Sequence, residues 1–394
     1  MITVKFLFWL SIFFITYSYF GYALFIKAYL SFKKKVYEKI EYLGTFFQPY
    51  VTLVVAVYNE EDIILEKINN CLGLNYPSEK LKFVFVADGS TDNTVNIIKL
   101  YPQIELYFLP ERKGKVAAIN RVMNNVETDY VIFCDANTIL NEDAVKEIVK
   151  HYRNKKIGGV AGEKKVVSAV DPDNSGTESE GLYWKYESKL KQIDSDFYSV
   201  VGAAGELFSI RTNLFEPVAT DVLLDDFIMS MNICKKGYRI IYEPKAYASE
   251  TASITMKDEK NRKIRISAGG FQSVVMLKSL LNIFKYGKLS YLYISHRVFR
   301  WVLCPFLLPI ILICNISLIH SPKSFIYQVF LIAQLTFYTT ALIGWALIKK
   351  NKKISLFHST YYFVFMNIIM YYGFFRYMNN QQSVLWIKAK RKKD

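Results

Sequence analysis

The chain has 394 residues, of which 52% are hydrophobic and 16% aromatic, and its formal net charge is +15. A strong positive charge can indicate nucleic-acid binding. Here, however, the lysines cluster beside apolar runs, at 33–35 and 349–353, as expected of cytoplasmic anchors that face anionic lipid. The five cysteines show no CxxC spacing and the four histidines are far apart, which argues against a zinc site or a disulfide framework. We expect a membrane protein that binds no nucleic acid.

The membrane segments are predicted from length and hydropathy. Residues 1–30 are almost continuously apolar and lack a clear cleavage site, so they predict an N-terminal transmembrane helix rather than a signal peptide. Residues 256–295 mix basic and apolar side chains and suit interfacial helices. Three apolar stretches, at roughly 299–319, 325–348 and 356–376, predict three C-terminal membrane helices within 296–378.

The lysine clusters bear on orientation. The cluster that follows the first span, at 33–35, predicts a multi-pass protein of the cell membrane whose central domain lies in the cytosol. Three later crossings would leave the basic tail, residues 379–394, outside, against the positive-inside rule. Either one C-terminal segment is re-entrant or the short tail tolerates the violation.

Residues 49–255 have the composition of an α/β domain. Short apolar runs that favour buried strands alternate with stretches of helical period at 60–71, 91–100 and 114–126. The runs are YVTLVVAVYN, KFVFVAD, DYVIFCDA and, later, RIIYEPKAYA. This alternation predicts a parallel sheet with right-handed crossovers. Ligands of such sheets bind at the carboxyl ends of the strands.

Each of the first three strands ends in polar residues, at 58–60, 88–92 and 135–137. A DGSTD segment alone is better explained as a turn with a helix N-cap than as a binding site. Three polar strand ends in succession instead favour one nucleotide-binding edge. A further segment of small residues, 202–205, allows either close approach to a ligand or tight packing.

Five segments in this order resemble the family 2 glycosyltransferases of the GT-A fold. They are VVAVYNEEDII, VADGSTDNT, KGKVAAIN, VIFCDANT and LLDDFIMSMNICKKGYRIIYEPKA. The resemblance covers about residues 50–270 and is to the membrane-bound branch that includes cellulose, hyaluronan and poly-N-acetylglucosamine synthases. It implies a Rossmann-like nucleotide-diphospho-sugar transferase domain flanked by transmembrane helices.

The resemblance also implies how the donor is bound. Tyr58, Glu60 and Asp88 match residues that hold the uracil and the ribose, and a carboxylate suits this role because it accepts hydrogen bonds from base N–H groups and hydroxyls. Lys115 matches a basic residue beside the donor, where a cation offsets phosphate charge. The expected donor is therefore a UDP-sugar.

A metal site is implied where the family has its D-x-D motif. Asp135 stands at the first position and Asn137 replaces the second aspartate. The family ion is Mg²⁺ or Mn²⁺, which stabilises the leaving nucleotide. Asn137 can ligate such an ion through its carbonyl oxygen, but with less charge. The alternative for Asp135 is a helix N-cap or a strand-end turn residue.

The acids Asp225 and Asp226 fall where the family has T-E-D. The last carboxylate of that motif is the general base that deprotonates the acceptor hydroxyl, and direct displacement inverts the anomeric configuration. Two adjacent acids favour a raised pKa on one of them. The alternative is a solvated helix start, where aspartate is also favoured.

The last family motif, Q/R-x-x-R-W, has two candidates. Arg262 and Arg265 have the expected separation from Asp226, but Ile266 stands where tryptophan belongs. The segment 297–301, RVFRW, matches the letters but lies some 35 residues too late, at the entrance to an apolar span. We expect Arg262 and Arg265 to act near the diphosphate or the acceptor.

Three functions remain open on these grounds. The first is an inverting, metal-dependent transfer of sugar to a growing polysaccharide at the membrane. The second is transfer of a single sugar to a lipid acceptor, such as a polyprenyl phosphate or a sphingoid lipid. The third is a non-catalytic membrane scaffold or transporter, which the nearly uncharged predicted spans and the intact Asp88, Asp135 and Asp226 disfavour.

Overall fold

The computed structural model describes residues 1–33, 47–167, 175–251, 256–320, 324–350, 352 and 354–381. Its described residues cluster into two compact units. An α/β unit consists of 47–167 and 194–251, and a helical unit consists of 1–33, 175–193 and 256–381. The predicted lysine positions 34, 35 and 353, and the tail from 382, lie outside the described residues.

The α/β unit is built on an eight-stranded sheet with the strand order β3-β2-β1-β4-β7-β6-β8-β5 among the described residues. In chain order the strands are β1 (Val51–Val57), β2 (Leu81–Asp88), β3 (Ile104–Leu109), β4 (Tyr130–Asp135), β5 (Thr138–Leu140), β6 (Ile157–Val167), β7 (Leu207–Arg211) and β8 (Arg239–Thr251).

The prediction of a parallel sheet is right for six of the eight described strands and wrong for β5 and β7, since β6 and β8 pair in parallel and run in the same direction as β1 to β4. Strands β1 to β4 are mutually parallel, with β1 between β2 and β4. Strand β7 is antiparallel to both β4 and β6, and β5 is antiparallel to β8. Glycines at 158, 159 and 162 interrupt the apolar pattern of β6, and such residues weaken a strand signal.

The helices complete both units. In chain order they are α1 (Ile2–Thr16), α2 (Tyr22–Lys33), α3 (Ile64–Leu72), α4 (Thr94–Lys99), α5 (Lys115–Met123), α6 (Ala144–Val149), α7 (Ser175–Phe197), α8 (Asp225–Lys235), α9 (Met256–Met276), α10 (Ile283–Tyr286), α11 (Lys288–Leu292), α12 (Cys304–Leu318), α13 (Phe325–Lys349) and α14 (Ser355–Met378). Residues Tyr17–Gly21 and Tyr293–Leu303 are π-helical.

The core of the α/β unit lies between the sheet and its helices. Ile64, Ile68 and Cys71 are spaced as one face of α3, and all three are fully buried. They belong to the same apolar cluster as Leu53 and Val55 of β1. Burying an aliphatic side chain of this size contributes about 1.5–3 kcal/mol, so this packing holds the sheet whose strand ends carry the predicted site.

Among the described residues, three helical stretches are long and apolar enough to cross a membrane: Ile2–Lys33, Lys288–Leu318 and Phe325–Lys349. The predicted span at 356–376 forms a helix, α14, but it is not among them, because tyrosines, His358, Asn367 and Arg376 lower its hydropathy. The second stretch begins before the predicted residue 299, so it includes Arg297 as well as Arg300.

The candidate active site at the strand ends

The polar ends of β1 and β2 are joined by hydrogen bonds. The side-chain oxygen of Asn59 accepts from the Thr91 N–H over 2.8 Å, and the Asn59 N–H donates to Ser90 Oγ over 3.1 Å. Asn59 has φ +52°, a left-handed conformation that asparagine tolerates better than most residues. The Glu60 N–H donates to Thr94 Oγ1 over 2.8 Å. The two predicted strand ends thus form one continuous edge.

Asp88 holds the loop that leads into α5. Its carboxylate accepts from the backbone N–H groups of Lys113, over 3.1 Å, and of Gly114, over 2.6 Å. Gly89 has φ +72°, and a Cβ there would lie within 2.8 Å of the Arg112 backbone. The sequence suggested a role for Asp88 in holding the donor. In the structure its carboxylate fixes the loop that precedes Lys115, and direct donor contact stays a prediction.

A small pocket lies beside this loop. The Arg112 guanidinium carbon is 3.6 Å from the centroid of the Tyr58 ring, a cation–π contact. The pocket is lined by Ala56, Val57, Tyr58, Asp88, Arg112, Gly114 and Lys115. Tyr58, Asp88 and Lys115 are therefore brought together as predicted. Arg112 was missed, although it lies three residues before Lys115 in a basic loop.

Lys115, at the start of α5, interacts with the acidic residues that the sequence predicts for the site. Its Nζ lies 2.5 Å from Asp135 Oδ1, at the end of β4. Burial opposes its charge, but Asp135, Asp225 and Asp226 outweigh burial and hold the pKa of the Lys115 ammonium above its ordinary range. The sheet thus places one cation among three carboxylates that lie 20 to 111 residues away along the chain.

Asp226 lies in the first turn of α8, where its Oδ1 accepts from the Phe227 N–H over 2.8 Å. Burial and the neighbouring Asp225 raise the pKa of its carboxyl to about 7, while Lys115 opposes the shift and Glu206 adds to it. A carboxylate with such a pKa is suited to accept a proton near neutral pH.

The segment of small residues contains two glycines with different functions. Gly202 has φ +84°, and a Cβ there would lie 1.9 Å from the Phe227 ring, so this glycine is required for packing. A Cβ on Gly205 would lie 2.9 Å from Lys115 Nζ and 3.4 Å from Asp226 Oδ2. The backbone at Gly205 therefore forms one wall of the charged cluster.

A second ionic network adjoins the predicted metal motif. Lys164, 3% exposed, forms ion pairs with Glu206, over 2.5 Å, and with Glu250. The Asn137 amide donates to Glu250 Oε1 over 3.0 Å. Sequence reasoning missed these three charged residues, since they lie on β6, before β7 and on β8 without a local motif.

The residues of the DANT segment fit a divalent ion only in combination with a substrate. Among the described residues, no group of three or more His, Cys, Asp or Glu side chains is arranged to hold an ion alone. Asp135 is about one-third exposed, and Mg²⁺ at nucleotide sites is typically held by one or two carboxylates plus phosphate oxygens. Asp135 fits that role. The Asn137 amide nitrogen donates to Glu250 Oε1, and its carbonyl oxygen is of the type that ligates a hard cation.

The two candidate arginine pairs both belong to the helical unit. Arg262 of α9 donates from Nε to Glu259 Oε2 over 3.2 Å. Arg297 and Arg300 donate to the carboxylate of Glu187, over 2.6 and 3.2 Å. The predicted role of Arg262 and Arg265 near the donor or acceptor stays a prediction.

Comparisons with known proteins agree with this geometry. Residues 52–218 match the family model described as glycosyl transferase family 2. The match covers the strand ends that carry the predicted site, so the resemblance predicted from the motifs is confirmed.

The chain is also similar to curated proteins that have a named activity. The chain is 28% identical over 247 residues to poly-beta-1,6-N-acetyl-D-glucosamine synthase of Staphylococcus aureus (strain MSSA476). The aligned region covers 60% of this chain and 57% of the relative. It is 26% identical over 252 residues to the synthase of that name from Staphylococcus epidermidis, covering 61% of this chain and 58% of the relative. The match thus spans less than two thirds of these relatives.

A solved structure establishes the fold. A mannosyltransferase from Pyrobaculum calidifontis, in complex with GDP-Man and Mn²⁺, superposes with a TM-score of 0.68 at 20% identity. The match covers 95% of this chain and 100% of that one. The predicted GT-A domain with flanking apolar helices is confirmed.

Proposed function

We propose that this protein is an inverting glycosyltransferase that moves a sugar from a UDP-sugar to a growing polysaccharide at the membrane. The observation that carries the proposal is the cluster of Lys115, Asp135, Asp225 and Asp226 at the strand ends of a family 2 domain. The relatives named poly-N-acetylglucosamine synthase favour UDP-N-acetylglucosamine as donor and polysaccharide as acceptor.

The donor is bound along the edge formed by β1, β2 and α5. Tyr58 and Arg112 offer an aromatic face and a planar cation for the base, with Glu60 near the ribose. Asp88 keeps the loop in place through Lys113 and Gly114, and so positions the Lys115 ammonium toward the diphosphate. A fixed cation there stabilises the leaving group without reorganisation.

Asp226 acts as the general base. The acceptor oxygen forms a bond to the anomeric carbon while the bond from that carbon to the diphosphate oxygen breaks. The hydroxyl proton passes to the Asp226 carboxylate, and the nucleoside diphosphate leaves. Burial and, after it, the charge of Asp225 keep the Asp226 pKa near neutrality. A divalent ion, Mg²⁺ or Mn²⁺, held by Asp135 and the Asn137 carbonyl with the diphosphate, would supply further neutralisation of the leaving group.

The test is turnover with defined donors. Purified protein in membranes is given UDP-N-acetylglucosamine, UDP-glucose or GDP-mannose, and both the nucleotide released and the size of the labelled product are measured. We expect UDP-N-acetylglucosamine to give a product of many sugars. If the product is a single sugar attached to extracted lipid, the acceptor is a lipid rather than a polysaccharide. If no nucleotide is released from any of the three donors, the proposed transferase activity with these donors is refuted.

The membrane arrangement belongs to the same proposal. Three crossings, by Ile2–Lys33, Lys288–Leu318 and Phe325–Lys349, with the N-terminus outside, would put each lysine cluster and the basic tail on the cytosolic side. A reporter fused to the C-terminus should then be protected from external protease in intact cells. Cleavage from outside would instead support a fourth crossing by α14.

A further inference from the structure

A lysine lies in the core of the α/β unit, behind the edge that carries the candidate active site. Lys67 is fully buried, on the same face of α3 as Ile64, Ile68 and Cys71. Among the described residues, its side chain forms no ion pair with a carboxylate. Burying a charged group costs free energy, and an apolar side chain of the same length would fill this space. The lysine therefore indicates a role beyond packing.

The partner of Lys67 is the backbone of the turn that follows β4. Lys67 Nζ donates to the Thr138 carbonyl oxygen over 2.7 Å. Thr138, which is also fully buried, donates from Oγ1 to the Asp135 carbonyl oxygen over 2.8 Å. Two consecutive hydrogen bonds thus lead from the core to the backbone of Asp135.

Lys67 and Lys115 approach this turn from opposite faces of the sheet. Cys134 belongs to the apolar cluster that includes Ile64 of α3, so Asp135, the next residue of β4, points to the other face. There its Oδ1 lies 2.5 Å from Lys115 Nζ. Burial raises the pKa of the Cys134 thiol although Lys67 opposes the shift, so this thiol stays neutral and offers no counter-charge.

We propose that Lys67 is a positioning residue for sugar transfer: it fixes the turn at 135–138 from the core side and so keeps the Asp135 carboxylate in place for the donor diphosphate and its ion. The inference rests on the proposed function, which gives Asp135 that role. A site held by rigid elements needs little reorganisation when substrate binds. Without the buried hydrogen bond the turn can relax, and a shift of about 1 Å can cost up to about 10²-fold in rate.

The next turn of α3 supplies a matched control. Asn70 accepts from the Leu140 N–H over 2.9 Å and donates to the Leu140 carbonyl oxygen over 2.7 Å. It therefore holds the same short strand, β5, but at a residue two positions beyond Thr138. A change at Asn70 should lower stability and leave the donor site intact.

The test is a double-mutant cycle on the full-length protein, with UDP affinity in the presence of Mn²⁺ measured by calorimetry. Lys67→Met keeps the length of the side chain but removes the donor, and should weaken UDP about tenfold. In Asp135→Asn the same change should weaken UDP less than about twofold, because a residue that acts through the Asp135 carboxylate then has nothing to position. Asn70→Leu should bind UDP normally, although its melting temperature falls.

A second variant interrupts the same route at another bond. Thr138→Val removes the hydrogen bond to the Asp135 carbonyl oxygen while Lys67 stays in place. It should weaken UDP as well, and this effect should also disappear in Asp135→Asn. The test therefore holds even if Lys67→Met fails to fold.

Three results would overturn the proposal. Unchanged UDP affinity in Lys67→Met and in Thr138→Val would make the lysine purely structural. An equal loss with and without the Asp135 carboxylate would mean that Lys67 does not act through it. A similar loss in Asn70→Leu would attribute the effect to the stability of β5. If the unsubstituted protein binds no UDP, the proposed donor is refuted, and this inference with it.

Discussion

Gly205 lies against Lys115 so closely that an added methyl group would reach the ammonium nitrogen at 2.9 Å. The first prediction follows from this contact. In Gly205→Ala the Lys115 side chain must move, because Nζ is the flexible end of the pair. Displacing a substrate-positioning group by about 1 Å can cost up to about 10²-fold in rate. We expect turnover to fall 10- to 100-fold, while the melting temperature changes little.

A matched pair of glycines separates this effect from misfolding. Gly202→Ala should unfold the domain, since its φ is +84° and the Phe227 ring occupies the position of the new methyl group. Gly73→Ala, where the nearest atom is a carbonyl oxygen at 3.3 Å, should retain both activity and stability. Normal turnover in Gly205→Ala would show that the position of Lys115 is not critical.

The second prediction concerns the base. Asp226→Asn keeps the size of the side chain but removes the basic oxygen, so sugar transfer should fall by about 10²–10⁴. UDP affinity, measured in the same preparation, should survive. If transfer persists, the base lies elsewhere, and a severe loss in Asp225→Asn alone would assign the role to that neighbour. Loss of UDP binding in both variants would make the pair structural.

The third prediction is the pH dependence. The base acts when deprotonated, so kcat/KM should fall as the pH drops through about 7, the raised pKa of Asp226. Asp225→Asn removes a nearby negative charge that raises this pKa, and should move the acid limb of the profile to lower pH. An acid limb that stays in place in this variant would show that another group controls it.

The fourth prediction concerns the metal. Chelation should abolish transfer, and Mg²⁺ or Mn²⁺ should restore it; full activity in excess chelator would remove the ion from the mechanism. Asn137→Asp adds charge to a hard-cation site and should retain or increase affinity for the ion. Because the Asn137 amide donates to Glu250, the new carboxylate also repels Glu250. The double variant Asn137→Asp/Glu250→Gln should relieve that repulsion and regain melting temperature.

The fifth prediction distinguishes the two arginine pairs. If spacing from Asp226 identifies the motif, Arg262→Ala and Arg265→Ala should reduce sugar transfer more than Arg297→Ala and Arg300→Ala. Initial rates at saturating donor, normalised to folded protein, provide the comparison. The reverse order would assign the motif to Arg297 and Arg300. In that case Trp301→Ala should also lower transfer in folded protein.

The sequence predicted those parts of the site that follow buried strands. Strands β1, β2 and β4 are mostly apolar runs that end in polar residues, so Tyr58, Asp88 and Asp135 could be placed at one edge from the sequence. Lys164, Glu206 and Glu250 could not, because their ion pairs join strands that are distant along the chain and leave no periodic pattern. The antiparallel strands β5 and β7 were missed for a related reason: the direction of each depends on its pairing with strands that are distant along the chain.

The short strand β5 has a consequence for association between copies. It terminates one side of the sheet with three residues, Thr138–Leu140, and so offers few open backbone groups to a second chain. At the opposite side, β3 carries Glu105, and charges on an outermost strand discourage intermolecular pairing. The two outermost strands, β3 and β5, are therefore poorly suited to pair with a strand of a second chain.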